Sequence, residues 1–164
     1  MTELLVRRGD ITTQHVDAIV NAANNAMRGG GGVDGAIHRA GGPEVLRDCI
    51  ARFPNGLATG DAGYTTAGKM PANWVIHTVG PNYRAGQRDR GLLESCYARC
   101  LEVANELGVK TIAFPLISAG VYGWPKEDAV RCAIDTCAEA KSSVEEILFM
   151  AFDDDVLKLF QRFL

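Results

Sequence analysis

At 164 residues, 47% of them apolar and 23% charged, the chain is long enough for one compact domain with a proper core and has an ordinary globular make-up. A formal net charge of −3 excludes a general electrostatic grip on nucleic acid or anionic membrane, leaving only local patches such as Arg84, Arg88 and Arg90. No apolar run approaches the roughly 20 residues of a spanning helix, and MTELLVRRGD (1–10) has no apolar signal core, so the expectation is a cytoplasmic protein with no membrane partner.

ELLVRRG (3–9) reads as a strand and DAIVNAA (17–23) as a second, with Ala18, Ile19 and Val20 as a short run of the buried type. An Asn-rich stretch and four glycines, Gly29 to Gly32, follow. VDGAIHRA then reads as a helix closed by Gly41 and Gly42, and Pro43 suits the first turn of another over about 43–52. GDAGYTTAG (60–68) and NWVIHTVG (73–80) are strands. RGLLESCYARCLEVANELG (90–108) is the clearest helix, because Leu92, Leu93, Cys96, Cys100, Val103, Ala104 and Leu107 recur at three and four and Gly108 supplies the stop. KTIAFPLIS (110–118) is a strand, PKEDAVRCAIDTCAEA (125–140) a helix, VEEILFMAF (144–152) a strand and DDDVLKLFQRF (153–163) a final helix. Strands alternating with helices imply an α/β sandwich with a largely parallel, buried sheet. In such folds ligands bind beyond the carboxyl ends of the strands. NNAMRGGGG, SAGVYGWP and FDDD follow the second, fifth and last strands, so they are expected to converge.

Glycines turn backbone N–H groups toward an anion, and a helix start just beyond adds free N–H groups and a positive dipole end. Ser118 to Gly123 repeats the device, and two such loops suit a diphosphate. Neither is a Walker loop or a GxGxxG fingerprint. Asn21, Asn24 and Asn25 lie at a strand end, where amides serve either sugar hydroxyls or turns. Asp34, near the helix start, is either a helix-end stabiliser or a group aimed at a ligand. His38 lies four residues on, shares its helix face and suits a structural hydrogen bond better than acid–base work. Cys49, Cys96, Cys100, Cys132 and Cys137 form no CxxC and read as core. The three histidines are scattered singly, so no metal site is expected. Trp74 and Trp124 read as packing or rim residues.

With these residues in view, the sequence resembles the macrodomain family from Leu4 to about Phe163, and its MacroD-type subclass in particular. That subclass is marked by Asn, six residues, then Gly-Gly-Val-Asp, here Asn24 followed by Gly31, Gly32, Val33 and Asp34. Its second loop is present as Gly120-Val121-Tyr122-Gly123, and GDIT (9–12) and IVNAAN (19–24) also match. The resemblance implies a single macrodomain over 1–164, a three-layer α/β/α sandwich with a mixed, largely parallel central sheet, and a cleft for ADP-ribose. It implies that Asp10 accepts from the adenine amino group beside Ile11, with Phe152 against the ring. Gly31, Gly32 and Val33 would offer backbone to the diphosphate and distal ribose, and Ser118, Ala119, Gly120, Val121 and Tyr122 would wrap the diphosphate from the other side. Asn24 would hold the distal ribose, and Asp34, set with it, would be the catalytic acidic residue, taking a proton from water or fixing the ribose in a reactive pose. The implied activity removes mono-ADP-ribose from Asp or Glu side chains of proteins and deacetylates O-acetyl-ADP-ribose, by water activation without metal, cofactor or covalent intermediate. The alternative is a reader that binds ADP-ribose without turnover. The Gln-Glu-Glu signature of poly-ADP-ribose glycohydrolases is absent, and the Cys/His ligands of zinc-bearing macrodomains are not apparent. Expected partners are ADP-ribose and ADP-ribosylated proteins, with thin support for nucleic-acid ends; a monomer is expected.

Overall fold

The computed structural model describes residues 2–164. Strand β1 (Glu3–Arg8) leads into β2 (Ala18–Ala23), then helices α1 (Gly32–Gly41) and α2 (Pro43–Arg52). Strands β3 (Ala62–Thr66) and β4 (Trp74–Val79) follow, then α3 (Arg90–Leu107), β5 (Thr111–Phe114), α4 (Lys126–Glu139), β6 (Glu146–Ala151) and α5 (Asp154–Phe163). The strands form one six-stranded sheet in the order β1-β6-β5-β2-β4-β3. Every pairing is parallel except that of β3 with β4, which makes the sheet mixed.

Period-two alternation assigns each strand's side chains to opposite faces. Val20, Ile76, Ile112 and Phe149 face the layer of α3, α4 and α5, where Leu93, Tyr97, Ala133 and Phe160 complete the main core. Ile19, Val75, Ala113 and Leu148 face the other way, onto Ile37 of α1, and Val45 and Cys49 of α2 pack with Ala23 and Val79. The result is the three-layer α/β/α sandwich. All five cysteines are buried in these cores. Burial pushes the thiols of Cys49, Cys96 and Cys132 up to about 11, so none is a thiolate nucleophile at neutral pH. Trp124 is buried with the main core, and Trp74 is half-buried.

Helix ends follow local chemistry. Asp89 caps α3 by accepting from Gly91 N, and Gly108 closes it in the left-handed conformation. Asp153 caps α5 by accepting from Val156 N. The strand expected over 110–118 ends at Phe114, because Pro115 has no N–H for the ladder. Short 3-10 turns at Ile11–Thr13 and Tyr83–Ala85 were not foreseen; each is capped by one side chain, Asp10 and Asn82 respectively.

Candidate active site

Because β1, β6, β5, β2 and β4 run parallel, their carboxyl ends lie along one edge of the sheet. The loops leaving them enclose a cleft of about 690 Å³. From the expected set, Asp10, Ile11, Asn24, Gly31, Gly32, Val33, Asp34, Ser118, Gly120, Val121, Tyr122 and Phe152 all line it. Ala119 departs from expectation: it turns into the main core and does not line the cleft. Gly9 and Gly30, from the GDIT and glycine-run motifs, line it as well, as do Gly80 and Met150, which were not singled out in the sequence.

The three asparagines after β2 have separate tasks. Asn25 Nδ2 donates to Leu57 O at 3.0 Å and so braces a neighbouring loop. Asn21 points away from the cleft, into the buried interior. Asn24 stays at the cleft and ties its own loop together: Nδ2 donates to Gly29 O at 3.1 Å, and Oδ1 accepts from Met27 N at 3.3 Å. Arg28 pins the outside of the loop, with Nη1 donating to Met27 O at 3.1 Å and Nη2 to Phe53 O at 3.0 Å. The glycine run is therefore a shaped backbone, not a slack one.

Helix α1 begins inside that run, with Gly31 as N-cap and Asp34 in the first turn. No side chain caps this end, so the first N–H groups of α1 open onto the cleft. Asp34 is only 5% exposed. Its Oδ1 accepts from Asn21 Nδ2 at 2.8 Å, and His38 Nε2 lies 3.4 Å from the same oxygen, which is the expected pairing across one helical turn. Gly30 sits between the two key side chains. A Cβ there would lie 3.1 Å from Asp34 Oδ2 and 3.3 Å from Asn24 Nδ2. Glycine there lets the carboxylate and the amide approach the loop together without either giving way.

The second loop closes the opposite wall. Trp124 N donates to Ser118 O at 2.9 Å and Gly123 N to Gly120 O at 3.0 Å, folding the loop tightly. Ser118 takes a left-handed φ of 67°, and its buried Oγ has no partner among the described residues. Such an orphaned hydroxyl at a cleft wall has its hydrogen-bonding capacity left for a ligand. Arg84 N donates to Tyr122 O at 3.1 Å, and the Tyr83 and Trp124 rings meet edge to face at 5.2 Å behind the loop. At the far end, Asp10 Oδ1 is held by Thr12 N at 2.9 Å and Thr12 Oγ1 at 2.7 Å. Phe152, 50% exposed, offers a ring face at the rim, with Lys126 Nζ 5.4 Å from its centroid.

The arrangement suits a long, doubly charged ligand. An aromatic face and a carboxylate lie at one end, two turns of N–H-rich backbone in the middle, and a buried carboxylate beside an amide at the other. Comparison with known proteins decides the family. The family model described as Macro domain matches residues 20–133, well over half the chain. The chain belongs to the macro domain family. This macro domain is 55% identical, over 93% of each chain, to a macro domain-containing protein of Streptomyces coelicolor. It is 48% identical to a protein of Enterobacter cloacae named O-acetyl-ADP-ribose deacetylase, over 97% of this chain and 92% of that one. Among solved structures, the Trypanosoma brucei macrodomain in complex with ADP-ribose superposes with a TM-score of 0.88 at 39% identity, over 97% of this chain and 68% of that one.

Proposed function

We propose that this macro domain binds ADP-ribose in the cleft and hydrolyses esters at its distal ribose. Two substrates share that chemistry: O-acetyl-ADP-ribose, and a single ADP-ribose joined to an Asp or Glu side chain of a protein. The observation that carries the reading is the meeting of Asp34 and Asn24 across Gly30. The named activity of the Enterobacter cloacae relative and the ligand in the Trypanosoma brucei structure support it.

In this reading adenine lies on Phe152 with its amino group toward Asp10. The diphosphate lies between the start of α1 and Ser118–Tyr122, where Ser118 Oγ has no competing partner. The distal ribose then reaches Asn24 and Asp34. Asn24 holds a ribose hydroxyl. Asp34 accepts a proton from a water as the water adds to the acyl carbon of the ester; the bond between that carbon and the ribose oxygen then breaks, Asp34 returns the proton to the ribose oxygen, and ADP-ribose leaves together with acetate or the freed side-chain carboxyl group. Positioning of the water and one group that takes and returns its proton supply the catalysis.

The test uses Asp34→Ala beside the unmodified chain. Both are incubated with O-acetyl-ADP-ribose and with a glutamate-linked ADP-ribosylated protein, release is followed by mass spectrometry, and both are titrated with ADP-ribose. The variant is expected to lose about 100-fold or more in kcat, with its ADP-ribose affinity kept within a few-fold. Tight binding with no release by the unmodified chain would make it a reader and overturn the hydrolase.

A further inference from the structure

Asp34 is the last residue at the cleft but not the last in its row of contacts. Behind it stands a line of polar side chains that the scheme above leaves unused. Asn21 Nδ2 lies 2.8 Å from Asp34 Oδ1 and 3.0 Å from His77 Nδ1. Thr65 Oγ1 lies 2.8 Å from His77 Nε2 and 3.0 Å from Thr66 O. Asn21, Thr65 and His77 are fully buried. They come from three adjacent strands, and the register of β2 on β4 sets Asn21 directly beside His77.

The hydrogens follow from the carboxylate outward. An ionised carboxylate only accepts, so the Asn21 atom facing Asp34 is the amide nitrogen. Its second N–H points at His77 Nδ1, which must then be bare. The neutral ring therefore carries its proton on Nε2 and donates to Thr65 Oγ1. Thr65 in turn donates to Thr66 O. Each donor meets an acceptor, and the direction is the same throughout. Burial keeps His77 neutral, its pKa pushed down to about 3. Asn21 Oδ1 is buried and has no partner among the described residues. The amide is thus held from both sides, by the carboxylate in front of it and by His77 behind it.

We propose that His77 and Thr65 are positioning residues for the reaction at Asp34, fixing through Asn21 which carboxylate oxygen faces the cleft. Oδ1 is occupied by Asn21 and flanked by His38 at 3.4 Å. Oδ2 is left beside Gly30, where a Cβ would lie 3.1 Å from it, on the side of Asn24. Without the row the carboxylate alone holds the amide, so Asn21 loses its second anchor and Asp34 Oδ1 is less firmly fixed. The inference rests on the hydrolase reading, since the aim of Asp34 matters only with turnover.

The experiment has two arms. In the first, long-range ¹H–¹⁵N correlation spectra of the unmodified chain read the His77 ring directly. The Nε2–H form across about pH 5 to 8 is expected; an Nδ1–H or charged ring overturns the proposal. In the second, O-acetyl-ADP-ribose turnover is measured for His77→Leu, which removes both ring nitrogens, and for His77→Asn, which keeps an acceptor near the Nδ1 position. His77→Leu is expected to lower kcat about tenfold or more while KM and ADP-ribose affinity stay within about twofold, and His77→Asn to recover most of the loss. Equal kcat in all three proteins, or a joint loss of kcat and affinity without recovery in His77→Asn, overturns it. An inactive unmodified chain is a separate result: it removes the hydrolase reading and the positioning role with it, while leaving the ring form measurable.

Discussion

At the scale of single residues the cleft depends on a missing side chain as much as on those present. Gly30 makes the clearest case, since any Cβ there presses on both Asp34 Oδ2 and Asn24 Nδ2. Its φ is not in the left-handed region, so alanine there is penalised for volume and not for backbone strain. Gly30→Ala is therefore expected to lower hydrolysis about tenfold or more by displacing the carboxylate, while its melting temperature stays within about 2 °C of the unmodified chain. Parallel turnover and thermal-melt measurements check this; a large fall in melting temperature with kcat intact would show that the contact is structural instead.

At the scale of elements, the first loop and α1 behave as one piece. A Cβ on Gly35 would lie 2.6 Å from Gly30 O, so the helix takes the loop's backbone directly against its own. Gly35→Ala must push the loop outward, since a backbone carbonyl cannot swing aside like a side-chain tip. The expected cost is about 1–3 kcal/mol in urea unfolding, together with weaker ADP-ribose binding by calorimetry; unchanged stability and affinity would disprove the coupling. The same piece explains what the sequence could and could not tell. Asn24 and Asp34 were legible because they bracket the glycines within a short span. The end of α3 and the start of α5 were legible because Gly108 and the aspartates from Asp153 are local stop and start signals. Arg28, Thr65 and His77 were not, because their partners sit on other elements: Arg28 reaches Phe53, and His77 spans from Asn21 to Thr65. Within NWVIHTVG, a buried histidine looks like any strand residue. The inward turn of Ala119 was hidden for the converse reason, since its neighbours on the loop line the cleft while it packs in the core.

At the scale of the whole molecule, the buried row ties stability to pH. His77 is held at about 3 against an ordinary 6.5, mainly by burial, with His38 acting in the same sense and Asp48 opposing. Below 6.5 the unfolded chain takes up a proton that the folded chain refuses, so unfolding is favoured as pH falls towards about 3. Above that window the contribution is complete; within it the slope is up to about 1.4 kcal/mol per pH unit. Urea midpoints at about pH 7 and about pH 5 are expected to differ in the unmodified chain and to converge in His77→Asn; an unchanged difference would assign the slope to other groups. The sheet order has a further effect, on timing. Among the described residues, strand β1, which delivers Asp10, pairs only with β6, residue Glu3 beside Glu146. The adenine end of the cleft thus needs segments from near both extremes of the described chain, while Asn24 and Asp34 come from its first quarter. During synthesis Asn24, Asp34 and Ser118–Tyr122 are laid down before β6, and only the adenine end, with Phe152, waits for that strand. A nascent chain halted before Glu146 would lack both the strand that seats β1 against β5 and the ring of Phe152 at the adenine end.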